Sequence, residues 1–413
     1  MSKIEQLIQQ LCPQGVEFKR LGEVFTQFNG MTGVSKKWEE SGNCVFIDYL
    51  NAYNNIKIDT TKLCNATVKR FNQQVLRKGD VLFTTASEVP DECAISSVIE
   101  DDIVDGVFLD DHLFGLRVKE EYNNKIVIGY LKYIFRSTEF RSTIKKVVRG
   151  VTRFYISKND FMNLSIPLPP LAVQQEIVRI LDAFTQLEAE LEAELKARKQ
   201  QYAYYRDSLL SFDPDDPNVQ WKRLGEVGTF TYGYTAKAQE EGDARFIRIT
   251  DITESGCLNP DNARYITLSE ESKKYLAKKG DLLLARTGAT YGKTLYMQDD
   301  IQAVYASFLI KIVLDNSLIT NRYYWHFSKS TFYWQQAEKL VTKGGQEQFN
   351  ANVVSRILIP LPPLPVQEEI VEKLDKFEAL TSDLQSGLPA EIEARRKQYE
   401  HYRDRLLTFK RKQ

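Results

Sequence analysis

Arginine, threonine, lysine and glutamine side chains gather beside glycine at two corresponding places in this chain. Residues 149–154 read RGVTRF and residues 343–349 read KGGQEQF. Glycine lets a backbone approach a surface closely, and Arg and Gln can each form two hydrogen bonds with the edge of a purine base. The alternative interpretation of both segments is a glycine turn that ends the preceding helix. The candidates for nucleic-acid contact in these segments are Arg149, Thr152, Arg153, Lys343, Gln346 and Gln348.

A second pair of glycine loops is rich in threonine and lysine. Residues 30–38 read GMTGVSKKW, and residues 233–237 read GYTAK. Lysine and threonine are common phosphate ligands in complexes with nucleic acids. The pattern predicts phosphate contact, and solvated surface lysines are the alternative. The candidates are Lys36, Lys37, Thr235 and Lys237.

Residues 288–294, GATYGKT, resemble the glycine loop that binds nucleotide phosphates. That loop requires four residues between its first glycine and the Gly-Lys pair, whereas three stand here, so nucleotide binding is not expected. The segment follows a predicted strand, and side chains at a strand-to-loop turn are well placed to contact DNA. A solvated structural turn is the alternative. The candidates are Arg286, Thr287, Thr290 and Lys293.

No pattern of catalytic or metal-binding residues is evident. His112, His326 and His401 lie far apart, and the five cysteines have neither paired nor CxxC spacing. An adenine methyltransferase needs an Asn/Asp-Pro-Pro-aromatic motif, which DPDDP at 213–217 does not provide. We therefore expect no enzyme activity, metal or cofactor on this chain.

Composition is that of a globular protein with reduced cysteines in the cytoplasm. Of 413 residues 43% are hydrophobic and 27% charged, and the net charge is −1. No apolar run approaches the length of a membrane span, and the first residues lack the pattern of a secretion signal. A neutral total does not exclude DNA binding, because basic faces are local.

Three segments of the chain occur twice. Residues 166–184 and 359–377 are identical at 14 of 19 positions, and residues 197–212 and 394–409 at 10 of 16. VEFKRLGEV at 16–24 matches VQWKRLGEV at 219–227. The inserts between these markers are dissimilar. Repeats of this kind indicate two related units that carry different surfaces.

The repeated segments predict long helices that begin after a Pro-Pro pair. Apolar residues recur every three or four positions from Ile177 to Leu209, with a stutter near Leu195, which is typical of a coiled-coil seam. A continuous helix over 173–210 would be roughly 55–60 Å long and would require a partner helix, for which its own repeat is the obvious candidate. In the second copy, SGLP at 386–389 should interrupt the helix.

Both inserts read as mixed strands and helices. The apolar patterns predict strands at 44–49, 80–84, 106–118, 246–252 and 281–285, and helices at 4–11, 126–136, 139–148 and 321–336. A Lys-Gly-Asp turn occurs in each insert, at 78–80 and 279–281. The shared turn indicates a common fold with different loops.

Two dissimilar inserts that alternate with two IPLPPL-started helices resemble the DNA-specificity subunit of type I restriction–modification systems. LPAEIEARRKQYEHYRDRLLTF at 388–409 is especially typical of that family. The resemblance covers the whole chain. It implies an α/β protein with two target-recognition domains, at 1–165 and 213–358, separated by antiparallel coiled-coil-like helices at 166–212 and 359–413, with pseudo-two-fold internal symmetry.

The resemblance also implies partners. Each domain would read one half of a bipartite duplex-DNA site. Two methyltransferase subunits would pack on the repeated helices, and restriction subunits would join them. S-adenosylmethionine, ATP and Mg²⁺ would belong to those subunits. A helical scaffold whose inserts bind proteins, and a self-sufficient DNA enzyme, remain the alternatives.

Overall fold

The computed structural model describes residues 3–32, 34–37, 41–68, 74–341, 349–382 and 387–412. The chain divides into two compact units. Unit 1 comprises residues 1–190 and 393–413, and unit 2 comprises residues 191–392. Each unit therefore contains one insert together with helical segments from both copies of the repeat.

In its described residues, unit 1 contains two four-stranded sheets and two smaller ones. Its strands are β1 (Phe18–Arg20), β2 (Phe25–Asn29), β3 (Val34–Lys37), β4 (Cys44–Ile47), β5 (Cys64–Val68), β6 (Val81–Thr84), β7 (Ala86–Ser87), β8 (Ser96–Val98), β9 (Val107–Leu109), β10 (Leu113–Val118), β11 (Val148–Arg149), β12 (Phe154–Ile156) and β13 (Ser165–Pro167). The larger sheets have the orders β2-β10-β6-β8 and β3-β5-β4-β9, and the smaller ones β11-β12-β7 and β1-β13. Neighbours are antiparallel except for β4 and β9.

Unit 2 repeats most of this plan. Its strands are β14 (Gln220–Arg223), β15 (Gly228–Tyr232), β16 (Ala244–Ile247), β17 (Tyr265–Ile266), β18 (Leu276–Ala277), β19 (Leu282–Ala285), β20 (Thr294–Tyr296), β21 (Ala303–Tyr305), β22 (Leu309–Leu314) and β23 (Leu358–Leu361). The four-stranded sheets have the orders β15-β22-β19-β20 and β17-β16-β21-β18, and β14 pairs with β23. The parallel pair β16–β21 corresponds to β4–β9 of unit 1.

Helices connect and cover these sheets. They are α1 (Lys3–Leu11), α2 (Leu21–Val24), α3 (Tyr49–Asn54), α4 (Ile128–Ile134), α5 (Thr138–Lys145), α6 (Lys158–Met162), α7 (Leu171–Leu209), α8 (Leu224–Val227), α9 (Asn321–Phe327), α10 (Thr331–Leu340), α11 (Ala351–Val354), α12 (Leu364–Ser382) and α13 (Leu388–Leu407). The α/β class predicted from the sequence is confirmed. No helix of the described residues combines the length and apolar character needed to cross a bilayer.

The two long helical regions agree with the sequence pattern. The first is one helix of 39 residues, α7. The second is two helices, and α13 begins at Leu388 with Pro389 in its first turn, where proline loses no intrahelical hydrogen bond. The predicted interruption of the second copy is therefore confirmed.

Pairing of the long helices joins the two copies within each unit. In unit 1, Phe184 of α7 stacks on Tyr402 of α13, with ring centroids 5.4 Å apart. In unit 2, Tyr205 of α7 stacks on Phe377 of α12 at 5.2 Å. Phe184 and Phe377 are equivalent in the repeat, as are Tyr205 and Tyr402. The start of each copy thus packs against the end of the other copy.

The Lys-Gly-Asp turns adopt the same conformation in both units. Gly79 and Gly280 have φ of +92° and +88°, which favours glycine. The carboxylates of Asp80 and Asp281 each accept a hydrogen bond from the backbone N–H three residues earlier. Both turns then lead into buried strands, β6 and β19.

Several predicted element boundaries were wrong. The predicted strand at 44–49 ends at Ile47, since Tyr49 begins α3, and the predicted helix at 139–148 ends at Lys145, since Val148 belongs to β11. The predicted strand at 106–118 is two strands, because Asp110, Asp111 and His112 form a turn between β9 and β10. The predicted strand at 246–252 ends at Ile247 and is followed by a short 3₁₀ helix capped by Arg248. The predicted helix at 321–336 is two helices, because the Ser330 side chain caps the start of α10.

Candidate nucleic-acid interface

Two glycines place equivalent loops at the ends of β2 and β15. The Gly30 N–H donates to the Leu113 carbonyl at 3.2 Å, and the Gly233 N–H donates to the Leu309 carbonyl at 3.0 Å. A Cβ at either glycine would lie within 2.4 Å of a backbone carbonyl oxygen of the neighbouring turn. The prediction that these loops correspond is consistent with that geometry, since both positions require glycine.

Arg286 follows β19 in unit 2 and lies against two aromatic rings. Its guanidinium carbon is 5.3 Å from the ring centroid of Tyr232 and 5.3 Å from that of Phe308. Its Nε donates to the Ser307 carbonyl at 3.2 Å. The rings are exposed, Tyr232 at 41% and Phe308 at 51%, so the group faces solvent.

The backbone of Arg286 is held as firmly as its side chain. Its N–H donates to the Phe308 carbonyl at 3.1 Å, and its carbonyl accepts from the Phe349 N–H at 2.7 Å. The Tyr232 hydroxyl in turn accepts a hydrogen bond from the Ala351 N–H at 3.1 Å. Strands β15, β19 and β22 and the start of α11 therefore fix this arginine together.

The other candidates of the Arg286 loop lie in different surroundings. Thr287 is buried, and the Thr290 hydroxyl is buried without a hydrogen-bond partner among the described residues. Lys293 lines a cleft of about 370 Å³ together with Tyr202 and Glu378 of the long helices. The loop predicted from the sequence therefore does not bring all four side chains to one surface.

Thr235 and Lys237 are exposed just beyond Gly233. The Tyr234 N–H donates to the Tyr305 carbonyl at 2.9 Å, and the Tyr234 carbonyl accepts from the Ser307 N–H at 2.8 Å. These two bonds fix the loop beside the residues that hold Arg286. The lysine is available at the surface, as a phosphate ligand must be.

The position equivalent to Arg286 in unit 1 is Thr85. It follows β6, and its N–H donates to the His112 carbonyl at 3.0 Å, as Arg286 does to Phe308. The Thr85 hydroxyl also donates to that carbonyl at 2.7 Å. The same backbone hydrogen bond therefore carries different side chains in the two units: Thr85 and His112 in unit 1 correspond to Arg286 and Phe308 in unit 2.

Lys37 is held by acidic residues of unit 1. Its Nζ lies 2.9 Å from Asp110 Oδ2, contacts Asp111, and lies 3.3 Å from His112 Nδ1. Burial lowers the pKa of Lys37, but hydrogen bonds with Asp111 and Asp110 outweigh burial and raise it overall. The same carboxylates and imidazole could ligate a metal, and the ammonium stands where a cation would bind.

Thr152 and Arg153 line an open cleft of about 620 Å³ in unit 1. Tyr49, Thr85 and His112 line the same cleft. Pairing of β12 with β7 holds the 149–154 turn beside the residues after β6. The structure thus brings together two segments that lie about 65 residues apart.

Arg149 stands at the edge of that turn. Its Nη2 donates to Asp160 Oδ2 at 2.8 Å, and its side chain is 65% exposed. Exposed ion pairs contribute little to stability, so this arginine can exchange its partner for another anion. The side chain of Lys36, and the residues Lys343, Gln346 and Gln348, lie outside the described part of the chain.

Sequence reasoning missed the aromatic partners of Arg286 and the Thr85–His112 pair. Tyr232 directly precedes the glycine of its loop, and Phe308 directly precedes β22. An aromatic residue directly before a loop glycine, as in Tyr232-Gly233, was a usable signal, whereas nothing in the sequence marks Phe308. Their association with Arg286 depends on strand pairing, which the sequence pattern does not specify.

Comparison with known proteins identifies the class to which this fold belongs. A model of the family described as "Type I restriction modification DNA specificity domain" matches residues 13–198 and again residues 218–394. The chain is 35% identical over 311 residues to the specificity subunit of the type I restriction enzyme EcoR124I/EcoR124II of Escherichia coli, covering 70% of this chain and 72% of that protein. It is 25% identical over 302 residues to the MjaVIII specificity subunit of Methanocaldococcus jannaschii, covering 65% and 68%.

Solved structures agree on the fold. A chain from a structure of a type I restriction–modification system superimposes with a TM-score of 0.64 at 20% identity, covering 96% of this chain and 98% of that one. The S subunit of such a system from M. genitalium gives 0.54 at 14% identity, covering 95% and 96%.

The chain belongs to the family of type I restriction–modification DNA-specificity subunits. The resemblance inferred from its repeats is confirmed. Its role is sequence-specific recognition of DNA, and it is not the catalytic subunit.

Proposed function

We propose that the two units read different halves of one bipartite duplex-DNA site. The observation that carries this proposal is the equivalent pair Thr85 and Arg286, which occupy the same backbone frame with different chemistry. Base edges in the major groove differ in their donors and acceptors, so different side chains on equal frames select different bases. The target would therefore be asymmetric, with an unread spacer.

The proposed DNA contacts are the side chains predicted from the glycine loops. In unit 1 the proposed contacts lie at the cleft that Thr152 and Arg153 line. In unit 2 they lie around Arg286 and the loop that carries Lys237. The 14 candidates remain proposals. Lys37 and Lys293 are the less favoured members, because Lys37 is paired with Asp110 and Lys293 lines the cleft beside the long helices.

The specificity subunit would direct chemistry done by other chains. We propose that two methyltransferase subunits modify adenine and that restriction subunits cleave, with S-adenosylmethionine, ATP and Mg²⁺ bound by those subunits in the cytoplasm. The functional domains would be 1–165 and 213–358, with helical spacers at 166–212 and 359–413. In each unit the start of one helical copy packs against the end of the other copy. This packing supports the division, because each recognition domain then rests on an equivalent pair of helical segments.

The test maps modified adenines in the DNA of cells that express this chain with its methyltransferase partner. One asymmetric bipartite sequence is expected. Arg149→Ala should relax bases in one half only, and Val151→Ala, at an 89% exposed position of the same turn, is the uncharged control. Equal relaxation of both halves would contradict two independent readers.

Two further outcomes would favour the alternatives. If the assembled complex retains no duplex DNA, the inserts bind proteins and the chain is a scaffold. If the purified chain transfers methyl groups by itself when the cofactor is supplied, the chain is an enzyme.

A further inference from the structure

Arg286 has no ion-pair partner among the described residues, whereas Arg248 and Arg322 of the same unit do. Arg248 and Arg322 bind Asp251 and Asp375, at 2.7 Å in each case. An arginine that pairs with a carboxylate has its charge and its planar fork already engaged. Arg286 is held instead by rings and by a carbonyl, so its charge remains available to a ligand.

The contacts of Arg286 fix the plane of its guanidinium group and the direction in which its terminal nitrogens can donate. Its Nε donates to the Ser307 carbonyl, which leaves the two terminal nitrogens for another acceptor. Tyr232 and Phe308 pack against the guanidinium, and stacking on aromatic rings is compatible with in-plane hydrogen bonding. Contact with a phosphate alone would not require a fixed guanidinium plane, because a phosphate can bind a point charge such as that of lysine from many directions.

The surroundings are also suited to contact with bases rather than with the DNA backbone alone. Phe308 and Tyr232 are about half exposed, which is a substantial apolar surface to leave in water without a ligand. Gly233, where no Cβ fits, ends the strand that carries Tyr232. Arginine that donates two in-plane hydrogen bonds matches O6 and N7 of guanine, the commonest specific contact in protein–DNA complexes.

We propose that Arg286, held between Tyr232 and Phe308, is the residue that selects a guanine in the half-site bound by unit 2. This inference rests on the proposed function, since it assumes that unit 2 reads one half-site. Both terminal nitrogens donate to the guanine edge, and the rings keep the guanidinium in the plane of the base. Unit 1 has Thr85 at the equivalent position and does not read guanine there.

The experiment uses the complex of this chain with its methyltransferase partner. Wild type, Arg286→Ala, Arg286→Lys and Phe308→Ala are expressed separately, and modified adenines are mapped across the cellular DNA. Oligonucleotide duplexes that carry the mapped site, with each base of the half-site changed in turn, then measure binding of the purified complexes. Arg264→Ala removes a partly exposed arginine of the same unit, which lies 3.6 Å from Glu240, and serves as the charge control.

The expected result is confined to one position. In Arg286→Ala the preference for one guanine in one half should fall by about tenfold to a hundredfold, while the other half stays unchanged. Arg286→Lys should retain affinity and lose part of that preference, and Phe308→Ala should lose preference at the same guanine. Arg264→Ala should leave the motif intact, and Thr85→Ala should affect the opposite half.

Other results overturn the inference. An unchanged motif in Arg286→Ala, or relaxation at a base other than guanine, excludes Arg286 as the guanine reader. Equal weakening for all sequences identifies a phosphate contact instead. If Arg286→Ala does not assemble, Arg286→Lys decides, because a motif unchanged in that variant excludes bidentate reading. Failure of the proposed function is recognised separately, since the wild-type complex would then modify no bipartite site.

Discussion

In each unit one buried glutamine attaches the start of the repeated helix to the insert before it. Gln174 accepts a hydrogen bond from the Val127 N–H and donates to the carbonyls of Lys125 and Pro169, at 2.7–2.9 Å. Gln367 makes the three equivalent bonds in unit 2, at 2.8–3.0 Å. A side-chain amide with one acceptor and two donors thus binds two backbone groups of the insert and one carbonyl of the Pro-Pro segment.

Gln174→Ala or Gln367→Ala should destabilise the unit that contains it. Buried backbone groups without partners cost free energy, so we expect a loss of about 2–3 kcal/mol, observed as a melting temperature lower by roughly 4–10 °C. Thermal unfolding followed by circular dichroism measures it. Gln175→Ala, at an exposed neighbouring position, is the control and should have almost no effect. A change as small as that of the control would show that the amide is not a fastening group.

Residue types with local geometric requirements were predictable from the sequence, and residues whose role depends on a distant partner were not. The Lys-Gly-Asp turns and the break at Pro389 follow from φ preferences and missing donors, which are local. Lys37 looked like an exposed lysine, yet its partner Asp110 lies 73 positions away. Arg286 was identified as a candidate, but its aromatic support comes from the end of β15 and from the residue before β22.

His326 in unit 2 is a buried imidazole that should make stability depend on pH. Burial lowers its pKa to about 4; the hydrogen bond to Asp375 opposes that shift, and the charges of Lys329 and Arg322 add to it. Its Nε2 lies 2.7 Å from Asp375 Oδ1, and its Nδ1 lies 3.0 Å from the Tyr202 hydroxyl. The neutral ring fits both contacts, with a donor toward the carboxylate and an acceptor toward the phenol.

The sign of the pH effect follows from that lowered pKa. The unfolded chain binds a proton at His326 near pH 6.5 and the folded chain only near pH 4, so stability falls as the pH drops between these values, by roughly 3 kcal/mol. Melting temperatures measured between pH 4 and 7 test this. In His326→Gln the slope should decrease, because an amide does not ionise, whereas His401→Gln should retain it. Parallel slopes for wild type and His326→Gln would contradict the assignment.

At the scale of elements, the long helices pair between the two copies of the repeat. Phe184 and Tyr402 stack in unit 1, and Phe377 and Tyr205 stack in unit 2. The end of each long helical region is also bonded to a short helix of an insert, since Asp404 of α13 accepts from the Thr138 hydroxyl of α5 and Asp207 of α7 accepts from the Thr331 hydroxyl of α10. The sequence predicted that each helix needs its repeat as a partner, because a single apolar stripe requires one. The particular contacts required the structure.

Double-mutant cycles should detect this exchange of partners. Alanine at Phe184 and Tyr402 should show a coupling free energy of about 0.5–1.5 kcal/mol, and so should alanine at Phe377 and Tyr205, because stacked rings stabilise each other beyond the area that they bury. Phe184 and Tyr205 lie roughly 30 Å apart along α7 and are the control pair, for which effects should add. Coupling in the control pair and additivity in the stacked pairs would contradict the observed pairing. Chemical denaturation provides the free energies.

At the scale of the whole molecule, α7 is a single helix whose residues belong to both units. The boundary between the units falls at Glu190 and Leu191, inside a run of four-residue repeats. The sequence predicted that helix because apolar residues recur at helical spacing along it, with one stutter near Leu195. Which surfaces face DNA could not be predicted in the same way, because glycine loops acquire their neighbours only when the sheets form.

Deletion of Leu191–Glu194 should change the spacer of the DNA site and leave both half-site sequences intact. Four residues shorten a helix by about 6 Å and leave its turn about 40° out of phase, and 6 Å is close to two base-pair steps. The recognition loops are far from this segment in sequence, so the bases that they contact should not change. Mapping of modified adenines in cells that express the deleted chain with its methyltransferase partner measures both properties.

The control for this deletion keeps the helix length and alters only its composition. Glu192→Ala together with Glu194→Ala removes two charges from the same four residues, and the wild-type spacer should persist. If the deleted chain instead recognises different bases, α7 contributes to base reading and does not act as a spacer. If it assembles and modifies the wild-type site with the wild-type spacer, the length of α7 does not set the distance between half-sites, because a spacer set by helix length must change when four residues are removed.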